Sequence, residues 1–159
     1  MISMNNCKTP EETLREYLDC WTRQKWEKMI SLIQITSRAQ LPDRIDLLKI
    51  HLAPYPAFPK DFDIDKVKIY SIRAAVLRGY HGFGQLADYR ILKVSRVNSQ
   101  NELAFAITCI LKIKVSLLEG ETKMIKRRVR AMVIKEAAPY KPHESGWWGV
   151  NPGSVLREI

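Results

Sequence analysis

The chain has 159 residues, of which 46% are hydrophobic, and it has a formal net charge of +9. This length fits one domain, and the apolar share is sufficient for a real core, which excludes a globally disordered chain. No stretch approaches the roughly 20 apolar residues that cross a bilayer, so no membrane span is expected.

The first residues and the cysteines bear on the cellular setting. The opening MISMNNCKTPEE has neither a basic region nor an apolar run, so it predicts no secretory signal. Cys7, Cys20 and Cys109 are scattered and lack CxxC spacing, which is unlike a disulfide framework or a zinc site. We therefore expect a cytoplasmic protein with no metal and no cofactor.

The N-terminal third reads as helical. Thr9 is a typical N-cap, with proline at the first helical position and two acids in the first turn. Apolar residues then recur at helical spacing up to Ile33, with a break predicted over 23–25 and a second short helix starting at Trp26. Another helix is predicted from Pro42, and three prolines make 53–59 an irregular connector.

After the connector the apolar period changes to two, which is typical of strands. Strands are predicted over 67–77, 86–97, 103–118, 122–136 and 146–150, with a loop over 78–84. In the last strand one of Trp147 and Trp148 should face the core and the other the opposite side, and Asn151-Pro152-Gly153 predicts a closing turn. Helices followed by an antiparallel meander indicate an α+β fold, with the helices packed on one sheet face.

The N-terminal TPEE…WTRQKWEKM, the long meander and the final GWWGV together resemble the NTF2-like superfamily (cystatin-like, SnoaL-like). The resemblance implies one domain over 1–159, with 1–8 flexible, in which a strongly curved antiparallel sheet wraps around the long helix as a cone. It also implies an apolar pocket at the open end and, in many members, dimers through the outer sheet face. Members include isomerases, dehydratases, hydrolases and non-catalytic modules, so the fold does not fix a function.

Few residues suit proton transfer, which needs an ionisable group inside an apolar wall. Asp88 and His81 are the candidates, although Asp88 also suits a surface partner of Arg90, and His81 a plain hairpin loop. Candidate pocket residues are the aromatic side chains that point to the expected cone interior, and core packing is their alternative interpretation. They are Tyr17, Trp21, Tyr70, Phe105 and Trp148.

Two surface features concern partners. The even positions of the strand over 103–118 are small or apolar at one end, and a fully solvated sheet face should be polar throughout. We therefore expect a homodimer, with the contact formed by Ala104, Ala106, Thr108 and Ile110.

The second feature is a basic segment, which contains Lys126, Arg127, Arg128 and Arg130. Such a segment suits a polyanion. It better suits a solvated strand face whose cations discourage edge-to-edge aggregation. Exposed aromatic residues that would stack bases are not interleaved with it, so a nucleic-acid partner is not expected.

Three function classes stay open. The first is a non-catalytic ligand-binding or assembly module, which would take a small apolar ligand. The second is a small-molecule lyase, isomerase or hydrolase that uses Asp88 or His81 together with a pocket tyrosine. The third is a polyanion-binding accessory protein. The sequence alone leaves it uncertain whether the chain is an enzyme.

Overall fold

The computed structural model describes residues 5–41, 72–98, 102–117, 120–137 and 141–159. Three sequence predictions lie outside these residues: the helix from Pro42, the connector over 53–59 and a pocket role for Tyr70.

Both N-terminal helices are confirmed. Helix α1 is Pro10–Arg23, and the Thr9 side chain accepts a hydrogen bond from the Glu12 backbone N–H at 3.1 Å. Gln24 ends α1 in the left-handed conformation with φ of 57°, which is why the chain turns there before α2, Trp26–Ile30. A short α3, Ile35–Gln40, follows.

The predicted strand over 67–77 is wrong in its described part. Residues Ile72–His81 form helix α4, and the predicted loop over 78–84 begins only after this helix. Ala74 to Leu77 are all buried, so burial here does not alternate as it would on a strand with one solvated face. Alanine, leucine and arginine also have high helix propensity. The strand was predicted because apolar residues occupy the even positions of this segment.

The sheet matches the predicted meander. Its strands are β1 Gln85–Arg96, β2 Ala104–Ser116, β3 Thr122–Ala137, β4 Lys141–Pro142 and β5 Trp147–Val150. Among the described residues they form one antiparallel sheet in the order β1-β2-β3, with β4 and β5 both pairing with the far edge of β3. The fold is therefore α+β.

The two faces of β2 differ as expected. From Ile107 to Ile113, its odd-numbered side chains are fully buried with the apolar residues of α1, among them Leu14 and Leu18. On the even side Ala106 is 1% exposed within the single chain, whereas Lys112 and Lys114 are exposed. The helices thus cover one sheet face, and the basic end of the other face is open.

The C-terminal tryptophans lie in a closing strand, as predicted. Trp148 is 7% exposed and Trp147 40% exposed, so neighbours in β5 point to opposite faces. The predicted turn at Asn151 is instead a helix start: Asn151 caps α5, Pro152–Leu156, by accepting a hydrogen bond from the Ser154 N–H. Ile159 then donates its N–H to the Arg128 carbonyl at 2.9 Å, so residues 158–159 pair with the edge of β3 next to Val129.

No helix among the described residues is both long and apolar enough to cross a membrane.

A candidate ligand cavity at the end of the sheet

A half-open cavity of about 490 Å³ lies where the C-terminal end of α4 meets the start of β1 and the end of β2. This volume is within the range typical of small-molecule sites, about 300–1,000 Å³. Its described lining residues come from helices α1, α2 and α4, from strands β1, β2 and β3, and from the loops that follow α1 and α4. They are Trp21, Gln24, Trp26, Arg78, His81, Gly82, Phe83, Gly84, Gln85, Lys114, Ser116 and Thr122.

His81 forms part of the cavity wall and is fixed on both ring nitrogens. Its Nδ1 lies 2.6 Å from the Leu77 carbonyl oxygen, which can only accept, so Nδ1 carries the proton. Nε2 is then an acceptor, and the Tyr17 hydroxyl donates to it at 2.8 Å. The structure thus joins a predicted catalytic candidate to a predicted pocket tyrosine.

Burial keeps this pair neutral. Loss of hydration lowers the pKa of His81 to about 4, although the hydrogen bond to the Leu77 carbonyl acts in the opposite direction. The same loss raises the pKa of Tyr17 well above its usual value, and the nearby Cys20 adds to this rise. At neutral pH the pair is therefore an uncharged tyrosine donating to an uncharged histidine.

Aromatic rings surround the histidine. The Trp21 ring meets His81 edge-on at 4.8 Å, and its indole N–H donates to the Gly84 carbonyl at 3.1 Å. The rings of Trp26 and Phe83 are half-buried. The Trp26 ring centroid lies 5.7 Å from that of His81, and the Phe83 ring centroid lies 5.9 Å from that of Trp21. Trp21 is therefore held in the wall. Trp26 keeps part of its ring surface accessible, and so does Phe83, although the Arg127 guanidinium lies over the Phe83 ring at 4.8 Å.

The charged side chains of the wall are basic. Arg78 and Lys114 line the cavity, and no carboxylate belongs to its described lining residues. The C-terminal end of α4 also faces the cavity, with a partial negative charge of roughly half an elementary charge. Arg78 lies in the last turn of that helix, where a cation interacts favourably with the helix terminus.

The predicted pocket residues separate into two groups. Tyr17 and Trp21 belong to the cavity region, whereas Phe105 and Trp148 contact each other with ring centroids 5.6 Å apart. Phe105 precedes the cavity residue Lys114 by nine positions on β2, which is roughly 30 Å of strand. The second pair therefore packs at the other end of the sheet.

Asp88 lies away from the cavity. It is exposed, faces Lys112 across β1 and β2, and accepts a hydrogen bond from the Tyr89 backbone N–H at 2.9 Å. The structure therefore does not bring Asp88 and His81 together.

Of the cavity residues, only Trp21 and His81 had been predicted as site residues; those missed include Trp26, Arg78, Phe83 and Lys114. The available signal was the run Gly79-Tyr80-His81-Gly82-Phe83-Gly84, whose glycines lie around an aromatic residue. Nothing in the sequence indicated that Lys114 lines a cavity, because exposed lysines are common on strands.

One cluster of metal-ligand types exists among the described residues. The ligand atoms of Cys7, Glu12 and Glu16 lie within 4.8 Å of one another. Burial, followed by the charge of Glu16, raises the pKa of Cys7 to about 11, so its sulfur is a neutral thiol at pH 7. Glu12 is exposed and accepts a hydrogen bond from the Lys8 backbone N–H, so the closeness of these three side chains does not by itself indicate a metal site.

Comparison of the chain with protein-family models, with curated proteins and with solved structures finds no match. A functional conclusion therefore depends on the geometry of the chain's own side chains.

Proposed function

We propose that this protein is a non-catalytic binding module whose cavity takes a small planar aromatic anion. The observation that supports this most directly is the half-open cavity of about 490 Å³ with the accessible rings of Trp26 and Phe83 in its wall. Aromatic rings favour offset-stacked or edge-on contacts with another ring, worth about 0.5–1.5 kcal/mol beyond area burial.

The anionic substituent follows from the charges of the wall. Lys114 and Arg78 supply cations, and the described lining contains no carboxylate that would repel an anion. A pocket formed only by apolar atoms would favour the small apolar ligand expected from the resemblance. The polar groups of Gln24, Gln85 and Ser116 favour a ligand with a polar end instead.

Binding is proposed rather than catalysis because the histidine has no nitrogen left for a substrate. Nδ1 of His81 donates to Leu77, Nε2 accepts from Tyr17, and the residue is 1% exposed. A general base must reach the proton that it abstracts, directly or through one water. The Tyr17–His81 hydrogen bond is better explained as a structural contact in the cavity wall that links α1 to α4.

Binding is tested by titration calorimetry with 2-naphthoate. Its neutral analogue 2-naphthamide tests the charge, and cyclohexanecarboxylate tests the ring. We expect 2-naphthoate to bind at least tenfold more tightly than either analogue. Trp26→Ala should reduce its affinity about three- to tenfold, since an accessible stacking ring is lost. Trp147→Ala, which removes an exposed tryptophan elsewhere, should leave the affinity unchanged.

Two results would contradict the proposal. One is the absence of measurable binding at millimolar 2-naphthoate to the folded wild type. The other is an equal effect of Trp26→Ala and Trp147→Ala, because binding would then not occur in this cavity.

A cone-shaped NTF2-like architecture stays part of the proposal, whereas the homodimer stays a prediction from the sequence alone. In the predicted contact Ala104 and Ala106 are already buried within the chain, which leaves the half-buried Thr108 and Ile110. Sedimentation of the wild type beside Ile110→Lys tests the dimer, since the added lysine would remove a contact centred there.

A further inference from the structure

A second feature, independent of the cavity, is the sheet face that the helices leave open. Seven exposed basic side chains lie on it, and we call them the basic sheet face. They are Arg90, Lys93, Lys112, Lys114, Lys126, Arg128 and Arg130.

The strand register arranges these side chains in rows across β1, β2 and β3. Arg90 and Arg128 flank Ile110, and Lys93 and Arg130 flank Thr108. A third row holds Asp88, Lys112 and Lys126, and a fourth holds Gln85, Lys114 and Met124. Rows two residues apart are separated by about 6.8 Å and neighbouring strands by about 4.8 Å. The face is therefore roughly 20 Å long and 10 Å wide.

The charge of this face is barely neutralised. None of the seven basic side chains forms an ion pair with a carboxylate in the part of the chain that the structure describes. Asp88 is the one acid in the four rows, so the face has a net charge of about +6. Arg127, by contrast, points to the helix-covered side, where its guanidinium lies over the Phe83 ring at 4.8 Å and pairs with Glu158.

The shape and charge of the face select among polyanions. A nucleic-acid duplex carries about one phosphate charge per 1.7 Å of axis, so 20 Å of duplex presents roughly 12 phosphates, about half of them toward one side. A single strand is disfavoured, because such sites stack bases on aromatic rings and the four rows contain none. A second copy of this chain is also disfavoured, since a two-fold contact around Ile110 would bring basic rows together.

We propose that the basic sheet face binds the phosphate backbone of a nucleic-acid duplex, without regard to base sequence. The cations of adjacent rows contact neighbouring phosphates, and the release of counterions drives the binding. The sequence-based expectation excluded a nucleic-acid partner because stacking aromatic residues are lacking. A duplex needs none, and the strand register adds Arg90 and Lys93 of β1 to the basic residues of β2 and β3.

Fluorescence anisotropy of the full chain with a labelled 20-base-pair DNA duplex tests this proposal. With about six phosphate contacts, the logarithm of affinity should fall against the logarithm of salt with a slope near −5. Affinity should therefore fall about 10³-fold between 50 and 200 mM NaCl. A second duplex of unrelated sequence should bind equally well, and the separated single strand more weakly.

Two matched pairs of variants locate the site. Arg128→Gln should weaken duplex binding several-fold and reduce the salt slope by about 1, whereas Arg127→Gln on the opposite face should change neither. The triple variant Lys126→Gln/Arg128→Gln/Arg130→Gln should abolish measurable binding at 150 mM NaCl. Arg23→Gln/Lys25→Gln/Lys28→Gln removes the same net charge from the helical side and should retain the salt slope. Thermal melting confirms that each variant is folded.

Three outcomes overturn the proposal. The first is no duplex binding at 50 mM NaCl. The second is equal loss in the two triple variants, since net charge alone would then explain the binding. The third is binding to vesicles of phosphatidylserine and phosphatidylcholine with none to the duplex, because the face would then serve a membrane surface.

Discussion

His81 is the buried histidine on which the cavity wall depends, and its charge state follows from its contacts. Its hydrogen bonds to Tyr17 and Leu77 satisfy the neutral ring, and burial disfavours the protonated one. Protonating Nε2 would turn an acceptor into a second donor facing a hydroxyl that now donates. We therefore expect His81 to be a source of acid sensitivity rather than a proton shuttle.

The prediction at the residue scale concerns pH. In the folded protein the pKa of His81 is about 4, below its ordinary value of 6.5. Between pH 6.5 and pH 4 the imidazole therefore becomes protonated in the unfolded chain but not in the folded one. Above pH 6.5, the titration of His81 should thus leave the free energy of unfolding unchanged. As the pH drops to 4, the titration of His81 should lower the free energy of unfolding by about 3 kcal/mol. Denaturant unfolding at several pH values, with His81→Gln as the control that lacks this contribution, measures the difference. A histidine Cε1–H signal of His81 that titrates above pH 6 would contradict the prediction.

Structural features with local causes could be predicted from the sequence. The Thr9 cap and the break at Gln24 depend on neighbours within a few positions, and both were predicted. The Tyr17–His81 hydrogen bond joins residues 64 positions apart, and no local pattern specifies such a pair. Asp88 was overvalued for the same reason: its residue type suits catalysis, but only the register shows which sheet face it occupies.

At the scale of elements, β5 is held between β3 and the segment that leads into α3. The Val150 N–H donates to the Leu32 carbonyl at 2.8 Å, and the Gln34 N–H donates to the Val150 carbonyl at 3.0 Å. Gly149 lies at this junction, where a Cβ atom would approach the Gln34 Cα within 2.6 Å. The close approach of two backbones explains why glycine is present in a strand that otherwise needs large side chains.

Two glycine-to-alanine substitutions should therefore differ in their effect on the free energy of unfolding. Gly149→Ala should lower the free energy of unfolding by about 1–3 kcal/mol, because the backbones must separate. Gly153→Ala in α5 meets only ordinary contact with the Asn151 side chain, and it should be neutral or raise the free energy of unfolding by up to about 1 kcal/mol. Denaturant midpoints of the two variants and the wild type measure both effects. A Gly149→Ala variant as stable as Gly153→Ala would show that the junction is looser than described.

The elements that the sequence predicted are those with an unambiguous period. Strands β2 and β3 alternate along most of their 13 and 16 residues, so both the strands and their faces were predicted. Strand β1 was predicted as a strand, and two register shifts interrupt its alternation. Helix α4 was not, since its ten residues include a short apolar run that suits both a strand and a buried helix. The α5 helix was read as a turn, because Asn-Pro-Gly satisfies both the rules for turns and those for a capped helix start.

Over the whole molecule, the sheet separates two surfaces with different chemistry. One face is covered by helices and ends in the cavity with the rings of Trp26 and Phe83, and the other presents the basic sheet face. Lys114 belongs to both, as it lines the cavity from the end of β2. The overall charge of the chain predicted neither surface, since each depends on strands brought together by the fold.

The four tryptophans provide the most direct test of the proposed cavity, because two lie beside it and two lie in β5. Titration of 2-naphthoate into ¹⁵N-labelled protein, followed through the indole N–H signals, reports on both places at once. We predict saturable shifts of the Trp21 and Trp26 signals, with those of Trp147 and Trp148 unchanged. Shifts confined to Trp147 and Trp148, or no shifts at millimolar 2-naphthoate, would contradict the account.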